Sequence, residues 1–490
     1  MDLVAYLNLC SERPDTRVGC CEISGFSGLL CIFVLLLYEL SIEKLVQGGE
    51  GLARLNDGRV CFVRGGLPGE RCRVELTAGK KDFARGRVVE VLEKSADRVQ
   101  PRCPLYGKCG GCSLQHLDSA KQVQYLERVE RENFKRIAHQ ELPADFKIYQ
   151  AEPWGYRNRA RVVYLGEKDG RCRFGFRKQE SNGVVAIENC PVLTPGLNDF
   201  LKNAKAAEIF KGLKRIPKDL ELNLFDDGTG RVAYYFRGMP ESRRQECSVS
   251  TVEMGGKEIV SDASVFFQSN LSLLPRLVQS VREAVDEGIA SGAASDEWLI
   301  DLFSGVGFFA AILQDKFKRV TTVEREPLCL KYAKVNLCGN GGVAGVSPAE
   351  RVAEAAESSL SKQGQQGDPR LRGDDKKVVK EDSRWSEGEA SPFTQVENVS
   401  APAEDWLAKN VVDKPATLIV DPPRTGLPPE ALTAIVKSSV NRLIYVSCDP
   451  VTLARDFAKF STAGFTLKRA EGFAFYPQTP HLEMMFVLAR

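Results

Sequence analysis

The sequence predicts an α/β protein: a C-terminal, doubly wound, Rossmann-like sheet preceded by an OB-like β-barrel and a central, mostly β domain. Three observations carry that expectation. From Leu271 onward, apolar runs alternate with helical stretches, and each run ends on or beside a polar residue: Trp298-Leu299-Ile300-Asp301-Leu302-Phe303, Val320-Thr321-Thr322-Val323-Glu324, Ala416-Thr417-Leu418-Ile419-Val420-Asp421 and Leu443-Ile444-Tyr445-Val446-Ser447. That is the form of a parallel sheet, which takes ligands at the carboxyl ends of its strands. Between Ser41 and Arg98 the chain reads as short alternating strands with glycine-rich turns, among them Arg59-Val60-Cys61-Phe62-Val63 and Arg85-Gly86-Arg87-Val88-Val89-Glu90-Val91. Several strands in so short a stretch mean a small barrel. From Tyr149 to about Ser261, strand-like pieces such as Ala160-Arg161-Val162-Val163-Tyr164-Leu165 and Val232-Ala233-Tyr234-Tyr235-Phe236 define a second β segment.

The elements divide the chain in order. Residues 1–40 are expected to be a poorly ordered extension. Sixteen uncharged residues from Ile23 to Tyr38 are shorter than the ~20 a membrane span needs, and the acidic excess before them has the wrong sign for a signal peptide. Residues 41–99 form the barrel, with basic side chains interleaved along its strands, as in nucleic-acid-binding barrels. Residues 100–265 form the central domain, entered through a helix over 119–138 whose Leu126, Val129, Phe134 and Ile137 share an apolar face. Residues 266–490 form the Rossmann-like domain, interrupted over about 341–396 by a Gly-, Ser-, Gln- and charge-rich insertion too polar to order itself. The net charge is only +2, but residues 121–182 hold 14 Lys and Arg against 9 Asp and Glu, a basic bias that permits a polyanionic partner. Fifteen cysteines without a regular framework fit a reducing, cytoplasmic compartment rather than a disulfide scaffold.

Asp301-Leu302-Phe303-Ser304-Gly305-Val306-Gly307-Phe308-Phe309 follows a strand and opens a helix, so its glycines let backbone approach a ligand closely. The third glycine of a dinucleotide fingerprint is missing. Glu324 ends the next strand about twenty residues later, where a carboxylate can hold a ribose diol. A nucleoside cofactor follows, and Asp421-Pro422-Pro423 at a later strand end favours S-adenosylmethionine over NAD. Where amino methyltransferases carry an aromatic after the prolines, Arg424 stands here, which disfavours an exocyclic nitrogen target. A pyrimidine ring carbon is a poor nucleophile until a thiolate adds to C6 and makes C5 enolate-like. Cys448, in Tyr445-Val446-Ser447-Cys448-Asp449-Pro450, can supply that thiolate. The C5 proton must then leave to a base, and Pro477-Gln478-Thr479-Pro480-His481-Leu482-Glu483 offers Glu483, with His481 as a positioned neighbour.

A separate set, Cys103-Pro104-Leu105-Tyr106-Gly107-Lys108-Cys109-Gly110-Gly111-Cys112, spaces three thiols as a metal or iron–sulfur centre would, with Cys190 preferred to Cys172 as a fourth ligand. Zinc is the chemical rival, since four thiolates also close a tetrahedral site. The spacing is not that of radical S-adenosylmethionine enzymes, so a structural or RNA-positioning centre is expected.

Taken together, the cysteine run with Cys190, Val265-Phe266-Phe267-Gln268-Ser269-Asn270, the glycine turn, Asp421-Pro422-Pro423-Arg424-Thr425-Gly426, Ser447-Cys448-Asp449-Pro450 and Gln478-Thr479-Pro480-His481-Leu482-Glu483 resemble the RNA uracil-5-methyltransferase family. Within it they are most similar to the bacterial 23S rRNA branch with a TRAM domain and a [4Fe-4S] cluster. The resemblance covers about residues 41–340 and 397–490. It implies that Gln268, Phe303, Glu324 and Asp421 contact S-adenosylmethionine, that Cys448 is the nucleophile and Glu483 the base, and that Cys103, Cys109, Cys112 and Cys190 hold the cluster. It further implies a monomer without a membrane partner, whose TRAM barrel grips 23S rRNA while a loop uridine is flipped into the pocket. The T-loop uridine of tRNA is the alternative substrate, and a non-catalytic RNA-binding iron–sulfur protein the alternative of another class. Two positions depart from the pattern: Phe308 follows the second glycine where a polar residue is usual, and Val399-Ser400-Ala401-Pro402-Ala403-Glu404-Asp405 leaves the adenine contact unassigned.

Overall fold

The computed structural model describes residues 37–338 and 394–490, in two compact units. The expected N-terminal extension, except its last four residues, and nearly all of the expected insertion lie outside the described residues.

The first unit draws on the chain up to Tyr106, on Cys112–Val129 and on Gln478–Pro480. Its sheet comprises β1 (Leu37–Ser41), β2 (Lys44–Leu45), β3 (Gly51–Arg54), β4 (Val60–Arg64), β5 (Arg71–Gly79) and β6 (Phe83–Glu93), in the order β1-β5-β6-β4-β3-β2. The two outermost strands are consecutive in the chain. One bent segment therefore pairs with β5 through its first half and with β3 through its second, which closes the sheet into a barrel and leaves no open edge. Alternating Cys61, Val63, Cys72, Val74 and Ala84 fill the interior, each without solvent exposure. The barrel begins earlier than the boundary at 41 expected from sequence: Leu37 and Tyr38, the end of the apolar N-terminal run, pair with Glu75 and Val74.

The second unit contains Gly107–Gly111, Glu130–Pro477 and His481–Arg490, so the central β segment and the Rossmann-like sheet belong to one compact body. The helix Ser119–Ala138 runs over the residues expected, and its later half carries Phe134, which stacks on Phe457 at 5.1 Å between ring centroids and meets Phe486 edge-on at 5.5 Å. After it come β7 (Lys147–Gln150), then an antiparallel sheet of β8 (Arg159–Lys168), β9 (Arg171–Arg177), β10 (Val184–Ile187), β11 (Glu221–Asp226) and β12 (Val232–Phe236), and a hairpin of β13 (Val249–Met254) and β14 (Lys257–Asp262).

The remaining strands are β15 (Trp298–Leu302), β16 (Arg319–Glu324), β17 (Gln395–Ser400), β18 (Ala416–Val420), β19 (Val440–Ser447), β20 (Thr466–Ala474) and β21 (Glu483–Ala489). They form one sheet in the order β17-β16-β15-β18-β19-β21-β20-β7. Within it β21 alone is reversed, antiparallel to both β19 and β20, while every other pairing is parallel. At the centre of the sheet both faces are buried, which is why β15, β18, β19 and β21 are largely apolar. Leu299, Ile419, Ile444, Met485 and Val487 point into one core, and Ile300, Leu418, Leu443, Met484 and Phe486 into the other. The short β7, from the central segment, extends this sheet at β20, where Tyr149 stacks on Phe473 and its hydroxyl donates to the Glu471 carboxylate at 3.2 Å. At the far edge, β17 starts at Gln395, so its first two residues fall inside the expected insertion, because its register with Arg319–Glu324 begins there.

Candidate active site

The carboxyl ends of β15, β16, β18 and β19 open on one cavity of about 700 Å³. Gln268, Phe303, Glu324, Asp421, Cys448 and Glu483 all line it. The reversal of β21 is what adds Glu483 to this set. In an all-parallel sheet the first residue of a strand lies at the opposite end, whereas here Ser447 pairs with Met484, so Cys448 just beyond β19 stands beside the start of β21.

The glycine turn is shaped by backbone geometry. Phe303 adopts a left-handed φ of 59°, Gly305 one of 54° and Gly307 one of 72°. For an aromatic residue that conformation costs about 1–3 kcal/mol, held in place by the surrounding fold. Side chains at the ends of β15 and β16 fix the turn: Asp301 accepts from the Ala310 amide at 3.0 Å and Glu324 from the Gly305 amide at 2.9 Å. Asp301 is fully buried, and burial pushes its carboxyl up to about 8. A side chain on Gly307 would meet the backbone of Ala333 at 3.1 Å, so the helix Pro327–Cys338 can pack there only against glycine.

Gln268 is carried by a loop clamped from β8. Arg159, partly buried, lies over the Phe225 ring at 4.4 Å and donates to the Ala263 carbonyl at 3.1 Å and to that of Val265, and the Asn158 amide reaches the Ser269 carbonyl at 3.3 Å. Gln268 hydrogen-bonds the Glu483 carboxylate. Glu483 is 2% exposed, so it is no ordinary surface carboxylate. Burial, and then the facing Asp421, raise its affinity for a proton, and burial does the same to Asp421. The Cys448 thiol is pushed up to about 11, first by burial, then by Glu483 and Asp421, with Arg424 opposing. Asp449 caps the helix Pro450–Thr462 by accepting from Thr452 at 2.9 Å and so fixes the backbone next to Cys448. Asp456 of that helix, buried, accepts from the Leu427 amide and the Tyr445 hydroxyl, each at 2.9 Å, while Arg455 donates to the Thr425 carbonyl at 3.0 Å. The turn bearing Asp421 and Arg424 is thereby tied to the helix that follows Cys448.

Comparison with known proteins places this geometry. Residues 412–490 match the tRNA (Uracil-5-)-methyltransferase family model, and residues 37–89 match the TRAM domain. The chain is 30% identical to the 23S rRNA (uracil(1939)-C(5))-methyltransferase RlmD of Chromohalobacter salexigens, over 92% of this chain and 89% of that one. It belongs to the RNA uracil-5-methyltransferase family. An RNA methyltransferase of Treponema denticola is 28% identical over 91% of this chain and 98% of its own. The tRNA (uracil-54, C5)-methyltransferase of Pyrococcus abyssi, solved with S-adenosyl-L-homocysteine, superposes with a TM-score of 0.60 at 20% identity, covering 92% of this chain and all of that one, and so shares its fold.

Several residues of the methyltransferase pocket escape a reading of the sequence. Arg424 is legible there only as a missing aromatic, yet it is the positive charge that lowers the proton affinity of both Cys448 and Glu483. Burial, with Arg424 and Arg157, lowers that of His481 and keeps its ring neutral. Tyr476, immediately before the Pro477–Glu483 run, also lines the cavity, with the Arg157 guanidinium 5.8 Å from its ring. Phe266, 64% exposed at the rim, is the one large aromatic of the Val265–Asn270 motif left facing solvent. Ala401, Pro402, Ala403 and Glu404, beyond β17, line the cavity where the sequence left the adenine contact open.

A pH dependence follows for the methyltransferase. Its thiol ionises only well above neutrality, so kcat/KM for RNA is expected to rise between about pH 7 and about pH 9, by up to tenfold per unit. Arg424→Gln removes the charge that favours the thiolate, so its loss of activity should be greater at the lower pH and partly recovered at the higher. A flat profile, or an equal loss at every pH, measured by labelled methyl transfer to RNA, would contradict this electrostatic role.

Cys103, Cys109, Cys112 and Cys190 are all partly buried. Cys103 and Cys112 belong to the first unit, Cys109 and Cys190 to the second. Among the described residues no group of three His, Cys, Asp or Glu side chains is arranged to hold a metal ion. Cys172, the alternative fourth ligand, is packed in the core, its thiol pushed up to about 12 by burial. No helix among the described residues is long and apolar enough to cross a membrane.

Proposed function

We propose that this RNA uracil-5-methyltransferase transfers a methyl group from S-adenosylmethionine to C5 of one uridine in 23S rRNA, in the cytoplasm, with Cys448 as nucleophile and Glu483 as general base. The observation that carries the reading is the shared cavity, in which a thiol and a buried carboxylate flank the turn bearing Asp421 and Arg424. Buried polar atoms without a partner, Ser304 Oγ, Gln268 Oε1 and Glu483 Oε2, fit a polar cofactor and substrate there. S-adenosylmethionine would supply an electrophilic methyl group held by Gln268, Phe303, Glu324 and Asp421. Cys448 adds through Sγ to C6 of the flipped uracil, and C5 becomes nucleophilic. After methyl transfer Glu483 removes the C5 proton, the C5–C6 double bond re-forms and Sγ departs. Arg424 eases formation of the thiolate, and the low-dielectric cavity keeps water from the adduct.

The 23S rRNA assignment rests on the relatives named RlmD and on the TRAM match, whose barrel would grip RNA backbone while the catalytic domain works on one base. Mapping 5-methyluridine in rRNA and tRNA from a strain lacking this chain tests it: loss of one rRNA site and no tRNA site is expected, and loss of the T-loop methyl alone would transfer the assignment to tRNA. The four-cysteine [4Fe-4S] site rests on the sequence spacing and on the preference for Cys190. Protein purified without oxygen should be brown and carry iron and sulfide, both lost in Cys109→Ala. A colourless protein carrying zinc would favour the rival site, and one without metal would remove both.

A further inference from the structure

One face of the five-stranded sheet β10-β9-β8-β11-β12 changes character along its length. At the end next to the pocket, a partly buried Arg159 and the buried Phe225 and Ala233 are adjacent in register, with Phe225 5.6 Å from Phe267, the residue before Gln268. Two residues further along β8 the same face comes out into solvent at Arg161. From there it presents Lys168, Arg171, Arg173 and Arg177, every one exposed. The register puts all five on one side: Arg161 is two residues from Val163, Val163 pairs with Gly175, Arg173 and Arg177 flank Gly175, and Arg171 pairs with Lys168 across the hairpin. Val163, at the centre, is 2% exposed although it lies on this outward face.

Only one of the five charges is neutralised in place. Glu221 on the same face pairs with Arg177 at 2.8 Å, and Arg161 is held by the Asn223 amide oxygen at 3.2 Å. Glu167 pairs with Cys172 on the opposite side, and Asp169 lies in the hairpin turn. Lys168, Arg171 and Arg173 form no ion pair among the described residues. Successive cations on one strand are about 7 Å apart, fixed by a rigid sheet rather than a loop. This strip gathers most of the basic bias of residues 121–182, and it runs outward from the segment that carries Gln268.

We propose that this strip is a second RNA-binding surface, taking the phosphate backbone of the substrate RNA on the strand that leads away from the flipped uridine. The inference rests on the RNA-methylating reading and adds to it where the polyanion lies. Phosphate contacts of this kind set affinity and register without reading sequence, and arginine forks suit paired phosphate oxygens.

The test uses the full chain and an unmodified rRNA transcript. In R161Q/R171Q/R173Q the slope of log affinity against log salt concentration should fall by about 2–3, since each lost phosphate contact removes about 0.7–0.9. KM for the transcript should rise about tenfold or more with kcat at saturating RNA within about twofold, as expected when binding shared by ground and transition states is removed. K409Q/K437Q/K459Q, which removes three exposed charges from helices of the Rossmann-like domain, should leave both quantities near wild type. An unchanged slope and KM in the strip variant would overturn the proposal and leave the face to an acidic protein partner. An equal loss in the control would overturn it too, by making bulk charge the cause. Failure of the wild type to methylate any RNA would sink the functional reading instead, while the salt slope, which needs no turnover, still reports on the strip.

Discussion

Cys448→Ala is expected to reduce methylation of RNA to background, a loss on the order of 10⁵-fold or more, the scale seen when a covalent nucleophile is removed. Without Sγ there is no route to an electron-rich C5, and no other residue of the cavity supplies a thiol in the same position: Cys329, which also lines it, is buried on the helix after Glu324, its thiol pushed up to about 12. The fold should survive, because Cys448 is only partly buried and its neighbours are held by the Asp449 cap and by strand register. The decisive measurement is capture of a covalent RNA complex resistant to denaturation, present for the wild type with 5-fluorouridine in the target position and absent for the variant. Methyl transfer by Cys448→Ala at near-normal rate would end the thiolate mechanism.

Glu483→Gln should behave in the opposite way. Addition and methyl transfer remain possible, but the C5 proton has nowhere to go, so turnover drops by about 10²–10⁴-fold while a methylated protein–RNA adduct accumulates on the natural substrate. The amide also ends the repulsion that the facing Asp421 exerts on the buried Glu483 carboxylate, so thermal stability should be unchanged or raised. Loss of activity with no trapped complex and a lowered melting temperature would make Glu483 a packing residue and return the search for the base to the rest of the cavity.

What the sequence made legible was whatever a period or a spacing encodes. The strand ends at Asp301, Glu324, Asp421 and Ser447 announce themselves as polar stops after apolar runs, and the helix 119–138 by the repeat of its apolar face. Strand direction is a different matter. Met484–Leu488 is equally apolar in either sense, and only its pairing with β19 reveals the reversal that brings Glu483 beside Cys448. At four residues with no buried side chain, β7 offers no alternation to detect and exists because the exposed edge of β20 needs a partner. Barrel closure depends likewise on one bent segment reaching two distant strands. Arg424 and Arg159 carry charges whose meaning depends on what they face in the fold: one tunes the thiol, the other clamps the loop of Gln268 from beneath.

The start of β17 has a use in protein engineering. Thr394 and Gln395 are anchored beside Phe317 and Lys318, at the opposite end of the sheet from Glu324, with Thr394 donating to the Phe317 carbonyl at 3.1 Å and Gln395 to that of Lys318 at 2.8 Å. Chain length added ahead of that anchor enters far from the carboxyl ends that build the pocket, and the entropy of closing a longer loop grows only logarithmically. The junction is therefore a natural port for grafting a reporter or affinity domain into this enzyme while leaving its chemistry alone.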